Sequence, residues 1–290
     1  MAIASLPPEQ KIAYPTHLDL PCSDDKPVDN DFHPLQSQLL RSCLAPYLEG
    51  LHPDGDYYVG TDTGIYWKTT NPPLNGCRAP DFFYVPDVPR LLDGAMRRSY
   101  VLWVETVAPL LVIEYLSGKG AEERDATPNK GKFWVYERAI RAPYYALWDP
   151  DLEKLEVFEL NGRRYRPMAT NENGRFLIEP MDLEFGTWEG SYFDHPGVWL
   201  RAWDPKGVML PTAEEREVVA VERAKSAQKR ATSERRAAEQ EKQRADQEQQ
   251  RADRAQQRAD QEKQRAEQEK QRADKLAARL RELGVDPPQV

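Results

Sequence analysis

Apolar positions along the first two thirds of the chain fall into distinct periods, and each period predicts an element. From Pro34, the segment LQSQLLRSCLAPYLEGL places Leu35, Leu39, Leu40, Cys43, Leu44 and Leu48 broadly on one helical face. Pro46 should disturb the later half of that helix, and His52-Pro53-Asp54-Gly55 should turn the chain. YYVGTDTGIYWK (57–68) is aromatic and β-branched around a break at Gly60, which predicts a strand or a hairpin. DFFYVP (81–86) predicts a short strand after Ala79-Pro80. SYVLWVETVAP (99–109) reads as helical or extended. It leads into LLVIEYL (110–116), which is apolar on both sides of the pleat, as expected of a central strand covered on both faces. That run holds a single acid, Glu114. KFWVYERAIR (132–141) predicts a helix with Phe133, Tyr136, Ala139 and Ile140 toward the core. YYALWDP (144–150) predicts another strand, and KLEVFEL-NG-RRYRPM (154–168) a hairpin around Asn161-Gly162. Short strands bearing Trp188, Trp199 and Trp203 follow up to Pro211. The order of helix, mostly strands, helix and strands predicts a mixed α/β domain on a central sheet over 33–210, after an irregular Pro-rich arm over 1–32.

Beyond Pro211 the pattern changes. Gln-Arg-Ala recurs at 243–245, 250–252, 257–259, 264–266 and 271–273, a period of seven. Ala231, Ala238, Ala245, Ala252, Ala259, Ala266 and Ala273 share one heptad position, which Leu280 continues. The companion position carries Ala227, Glu234, Glu241, Glu248, Ala255, Glu262 and Glu269, with Leu276 and Leu283 only near the end. Propensity favours a long helix over 213–283, stopping at Gly284, but Glu facing a partner makes a poor coiled-coil seam. A solitary helix supported by pairs such as Glu248 with Arg251 and Lys242 with Asp246 is as well supported as a coiled coil joining copies of the chain.

Composition sharpens this division. The chain has 290 residues, 40 basic and 48 acidic, for a net charge of −8. Residues 213–290 hold 19 Lys/Arg and 17 Asp/Glu and no aromatic residue, so the remaining 212 residues carry net −10. No run of about 18 apolar residues exists, so no membrane span is expected, and MAIASLPPEQKIAYP does not read as a secretory signal. Cys22, Cys43 and Cys77 are odd in number and lack a CxxC pair, which argues against a disulfide framework or zinc site and points to a reducing cytoplasm. An acidic domain offers no broad basic face, so a polyanionic substrate would need metal ions or a local basic patch.

Three residues merit joint attention. Asp81 heads an apolar strand after Pro80, Glu114 sits where an unpaired charge would be costly, and Lys132 opens a helix one loop later. Two carboxylates at the ends of neighbouring strands can hold a hard divalent cation, and a lysine beside them can orient a water or stabilise negative charge. Each also has a plain structural role: Asp81 as a turn cap, Glu114 and Lys132 as a buried pair. Ser117, Glu122, Glu123 and Asp125 lie in a polar loop and read mostly as solvated, with Asp125 the best outside candidate for a supporting role. Asp62 could line the same cleft or serve a turn. His17, His33, His52 and His195 show no ligand spacing and read as structural or surface groups.

Pro80-Asp81, the run Leu110 to Ser117, Asp125, Lys132-Phe-Trp-Val-Tyr136 and Tyr144 to Pro150, in that order, resemble the Uma-two family of restriction-endonuclease-like proteins over roughly residues 33–185. The resemblance implies a PD-(D/E)XK fold: a four-stranded mixed central sheet flanked by helices, here with a charged C-terminal helix. It implies metal ligands at Asp81, Glu114 and the backbone carbonyl of Tyr115, Mg²⁺ or Mn²⁺ as the cofactor, and DNA as the substrate. Leu116 stands where the wider superfamily places a lysine. Within the Uma-two pattern, Lys132, four before Tyr136, can take that role, with Lys130 as the backup. The rival reading is a nuclease-fold scaffold without turnover that assembles through its C-terminal helix.

Overall fold

The computed structural model describes residues 14–22 and 30–282. Most of the arm and the helix stop at Gly284 lie outside them. The elements are α1 (Phe32–Leu51), β1 (Tyr57–Gly60), β2 (Ile65–Tyr66), β3 (Cys77–Arg78), β4 (Phe82–Pro86), β5 (Tyr100–Val101), α2 (Leu102–Glu105) and β6 (Leu111–Tyr115). After a long loop come α3 (Lys132–Trp134), which runs into a π-helical turn over Val135–Ile140, then β7 (Tyr144–Asp149), β8 (Lys154–Asn161) and β9 (Arg164–Pro167). The chain continues through β10 (Phe176–Ile178), β11 (Leu183–Tyr192), β12 (His195–Trp203) and α4 (Ala213–Glu282).

The central sheet has six strands rather than the implied four, in the order β1-β4-β6-β7-β8-β9. Within this sheet, among the described residues, only β6 and β7 pair in parallel, and the loop with α3 supplies the crossover a parallel pair requires. All five residues of β6 are buried, as its two-sided apolar pattern predicts. Leu111, Ile113 and Tyr115 face a core built with α1 and the β10-β11-β12 sheet. Val112 and Leu116 face a second core with Val135, Tyr136 and Tyr145. Residues 57–68 do not form a hairpin: β1 pairs with β4, whereas β2 pairs with β3 and β5 in a separate small sheet. Gly60 marks the change, because a Cβ there would lie 2.1 Å from the Phe83 ring. The hairpin of β8 and β9 forms, closing at Asn161 opposite Arg164 with Gly162 at φ 64° in the turn.

Pro46 lies inside α1 without ending it. A helical proline has no N–H for the carbonyl four residues back, here that of Ser42. The Arg216 guanidinium donates to that carbonyl at 3.2 Å instead. The start of α4 is equally well fixed. Glu215 N–H donates to Thr212 Oγ1 at 3.2 Å while Thr212 N–H donates to Glu215 Oε2 at 2.7 Å, a reciprocal capping box. Buried Arg201 holds Glu215 at 2.8 Å.

The chain divides into two compact units, one up to Arg216 and one from Glu217 onward. The second is helix throughout its described length, and nearly all of its residues are exposed. Its side-chain pairs differ from those expected. Glu222 meets Lys225 at 3.1 Å, and Gln249 and Gln256 donate to Asp253 and Asp260, while the Glu248–Arg251 and Lys242–Asp246 pairs do not form.

Candidate active site

The site lies where β6 ends beside the start of β4. These strands run antiparallel, and their last paired residues are Phe82 and Ile113, so Asp81 comes level with Glu114. Past the end of the ladder, the Tyr115 amide faces the β4 side and needs an acceptor. Asp81 Oδ2 accepts it at 2.7 Å. Asp81 Oδ1 lies 3.0 Å from His33 Nδ1 on α1.

Glu114 is buried on the opposite face of the strand from Tyr115. Lys132 Nζ donates to its Oε2 at 3.1 Å, and the Tyr136 hydroxyl donates to its Oε1 at 2.7 Å. Both partners project from α3 and the π turn that continues it. The turn before α3 requires Gly131, since a Cβ there would lie 2.0 Å from the Asp125 carbonyl oxygen. Lys132 also donates to Glu123 Oε1 at 3.2 Å. Lys132 therefore serves two buried carboxylates at once, from the face on which Leu116 packs into the core.

Burial is the main force on Glu114 and pushes its carboxyl up to about 8; Lys132 opposes the shift and the charge of Asp81 adds to it. Burial also acts against the Lys132 charge, but Glu114 and then Glu123 outweigh it and hold the ammonium above the usual lysine range. The ammonium thus stays charged, and the carboxylate is the partner that takes a proton more readily. Burial, followed by the charge of Glu114, keeps the Tyr136 phenol protonated well above the usual tyrosine range.

The structure brings Asp81, Glu114, Tyr115 and Lys132 together. It adds two residues that sequence reasoning set aside. Glu123 is buried rather than solvated, and His33 contacts Asp81. A signal for His33 exists in the pattern: His33, Gln36 and Ser37 interrupt the buried stripe of α1, and polar groups in a buried stripe need partners. Asp125 stays outside the cluster. The Thr127 hydroxyl, followed by the Thr127 N–H that its carboxylate accepts at 2.8 Å, holds its carboxyl below the usual range. Asp62 is exposed, with its N–H on the carbonyl of Pro80 at 3.1 Å. His17 accepts the Arg98 N–H, His52 meets Tyr84, and His195 is exposed. Lys130 is exposed, and its carbonyl accepts a hydrogen bond from Arg78.

Among the described residues, no three His, Cys, Asp or Glu side chains converge as a metal cage. The donor chemistry nevertheless suits a hard divalent cation. Asp81 Oδ2 and both Glu114 oxygens each accept one hydrogen bond and retain a lone pair, and Asp81 Oδ1 lies 3.0 Å from His33 Nδ1.

Fold and site together define a restriction-endonuclease-like domain of mixed α/β architecture. The Uma2 family, described as "Putative restriction endonuclease", matches residues 25–193, and the chain belongs to it. Among solved structures, the chain is similar to a "putative nuclease belonging to DUF820" from Anabaena variabilis ATCC 29413. The identity is 16%, over 49% of this chain and 70% of that one, with a TM-score of 0.31. No curated protein matches. Among the described residues, no helix is long and apolar enough to cross a membrane.

Proposed function

We propose that the protein is a metal-dependent DNA endonuclease. Asp81 and Glu114, with the backbone carbonyl of Tyr115, would hold Mg²⁺ or Mn²⁺, and Lys132 would assist attack of water on a phosphodiester. The observation that carries this reading is the Lys132 ammonium at 3.1 Å from Glu114, with Asp81 anchored on the next residue's amide. The bound cation supplies Lewis acidity toward a phosphate oxygen and lowers the pKa of a bound water. The chain's own residues do the rest. Tyr136 fixes one oxygen of Glu114, the Tyr115 amide fixes one oxygen of Asp81, and Lys132 offers positive charge beside the place where phosphate charge develops. The net −10 of residues 1–212 adds a second role for cations, that of bringing DNA to an acidic domain. The odd number of cysteines and the lack of a CxxC pair support a reducing compartment.

The test is cleavage of supercoiled plasmid with Mg²⁺ or Mn²⁺ by wild type, Asp81→Ala and Glu114→Ala. Cleavage lost in both variants supports the site; cleavage unaffected in both removes it. A second reading, a nuclease-fold scaffold, is favoured by buried Leu116 in the superfamily's lysine position. Absence of both cleavage and metal binding by calorimetry would select it. In either reading, α4 stands as a solitary helix or joins copies of the chain, and sedimentation of full-length protein against a chain ending at Pro211 separates the two.

A further inference from the structure

Glu114 is held by packing, because its side chain is only 1% exposed within a central strand. Asp81 has no such support. It precedes the first ladder pair of β4, and its side chain is 19% exposed. The Tyr115 amide holds Oδ2, and the other side chains that hold Asp81 come from α1. His33 and Ser37 are four residues apart and so lie on one helical face. His33 Nδ1 is 3.0 Å from the Asp81 carboxylate, while the Ser37 hydroxyl contacts the Asp81 backbone carbonyl at 3.1 Å and the Tyr115 hydroxyl at 3.2 Å. The imidazole is fixed in turn, edge-on to Tyr115 at 5.5 Å between ring centroids.

The helix end that bears these residues is pinned to the opposite sheet. Phe32 stacks on Trp199 at 5.2 Å, and the Gln36 side chain makes both backbone hydrogen bonds of Leu200, at 2.9 and 2.8 Å. One turn of α1 thus reaches the site on one side and is locked to β12 on the other.

We propose that His33, with Ser37, forms a clamp that positions Asp81 for cation binding. This rests on the reading of Asp81 as a metal ligand. His33 is a positioning residue: it acts through Asp81 and touches neither substrate nor cation. Such outer partners typically change metal affinity about 10- to 100-fold.

The experiment is Mn²⁺ titration of the full chain by calorimetry, with thermal melts in EDTA, for wild type, His33→Ala, His33→Asn, Ser37→Ala and Asp81→Ala. Asn places an amide N–H donor close to the position of Nδ1. His33→Ala is expected to weaken Mn²⁺ binding about 10- to 100-fold. His33→Asn should restore most of that loss, and Ser37→Ala should weaken binding less than His33→Ala does. Wild-type affinity in His33→Ala, with affinity lost in Asp81→Ala, would overturn the clamp and leave the ligand reading standing. Wild-type affinity in Asp81→Ala, or no Mn²⁺ binding by the wild type, would overturn the ligand reading and the clamp with it. If His33→Ala does not fold, His33→Asn and Ser37→Ala carry the test. A full loss in His33→Asn at unchanged melting temperature would show that ring packing, not the N–H, holds Asp81, and would overturn the clamp.

Discussion

Two buried ionic clusters in this domain look alike in a contact list and differ in charge balance. Arg97 and Glu105 form a bidentate pair at 2.7 and 3.0 Å, with side chains 0% and 3% exposed. The remaining Arg97 nitrogen donates to the Arg90 carbonyl, and its guanidinium lies over the Tyr58 ring. One cation meets one anion and every guanidinium nitrogen has a partner, so the cluster is balanced. At the other cluster, one ammonium serves Glu114 and Glu123 while the charge of Asp81 also bears on Glu114. Two acids share one lysine, and the charge of a third bears on one of them. The first arrangement stabilises a fold. The second leaves negative charge that a bound cation would neutralise, which is why we read it as a site.

The largest test of that contrast is activity. Glu114→Gln keeps the size of the side chain and an acceptor for Tyr136 but removes the charge. It should lower plasmid cleavage by on the order of 10³-fold, from several kcal/mol of lost metal-borne stabilisation. Glu105→Gln, at the balanced pair, should leave cleavage by the folded protein unchanged.

Stability comes next. Removing one partner of a buried ion pair typically costs about 3–5 kcal/mol. Lys132→Met and Arg97→Met should both show losses of this order in urea titrations with EDTA. Mn²⁺ should recover part of the loss in Lys132→Met, whose stranded acids are the proposed ligands, and none in Arg97→Met. Equal responses to Mn²⁺ would erase the distinction.

A smaller effect appears in pH. The folded-state value of Glu114 is raised to about 8 from an ordinary 4.5. Between those values the folded chain keeps a proton that the unfolded chain releases, so this group's contribution is fully present below about 4.5 and is lost as pH rises through about 8. Glu114→Gln should flatten that part of the stability profile. A cation competes with the same proton, so Mn²⁺ affinity should rise up to about tenfold per pH unit and level off near pH 8. The smallest effect belongs to Asp125→Asn, whose amide oxygen can still accept the Thr127 N–H: cleavage within about a factor of 2 of wild type.

Sequence reading worked best where the physics is local. The stripe of α1, the two-sided apolar run of β6, the Asn161-Gly162 turn and the long tail helix each follow from periodicity or turn chemistry over a few residues. Asp81, Glu114 and Lys132 were legible because a proline, an apolar run and a helix start each make a charge conspicuous. Glu123 was not, because an acid in a polar loop looks solvated until the loop packs it beneath Lys132 and Tyr145, whose hydroxyl bonds its carbonyl at 3.0 Å. His33 was missed for a related reason. Its partner lies on another element, and no spacing links the two.

The sequence by itself determined the elements, the break between an acidic domain and a repetitive helix, and the buried acid that marks the site. Those features depend on which side chains must leave water and on the period at which they recur. Tertiary structure decided that the central sheet has six strands, that β1 and β2 part into different sheets, and that α1 brings His33 to Asp81. It also decided that Glu114 and Glu123 share one lysine. Such pairings are set by packing between segments distant in the chain, which the local period does not record.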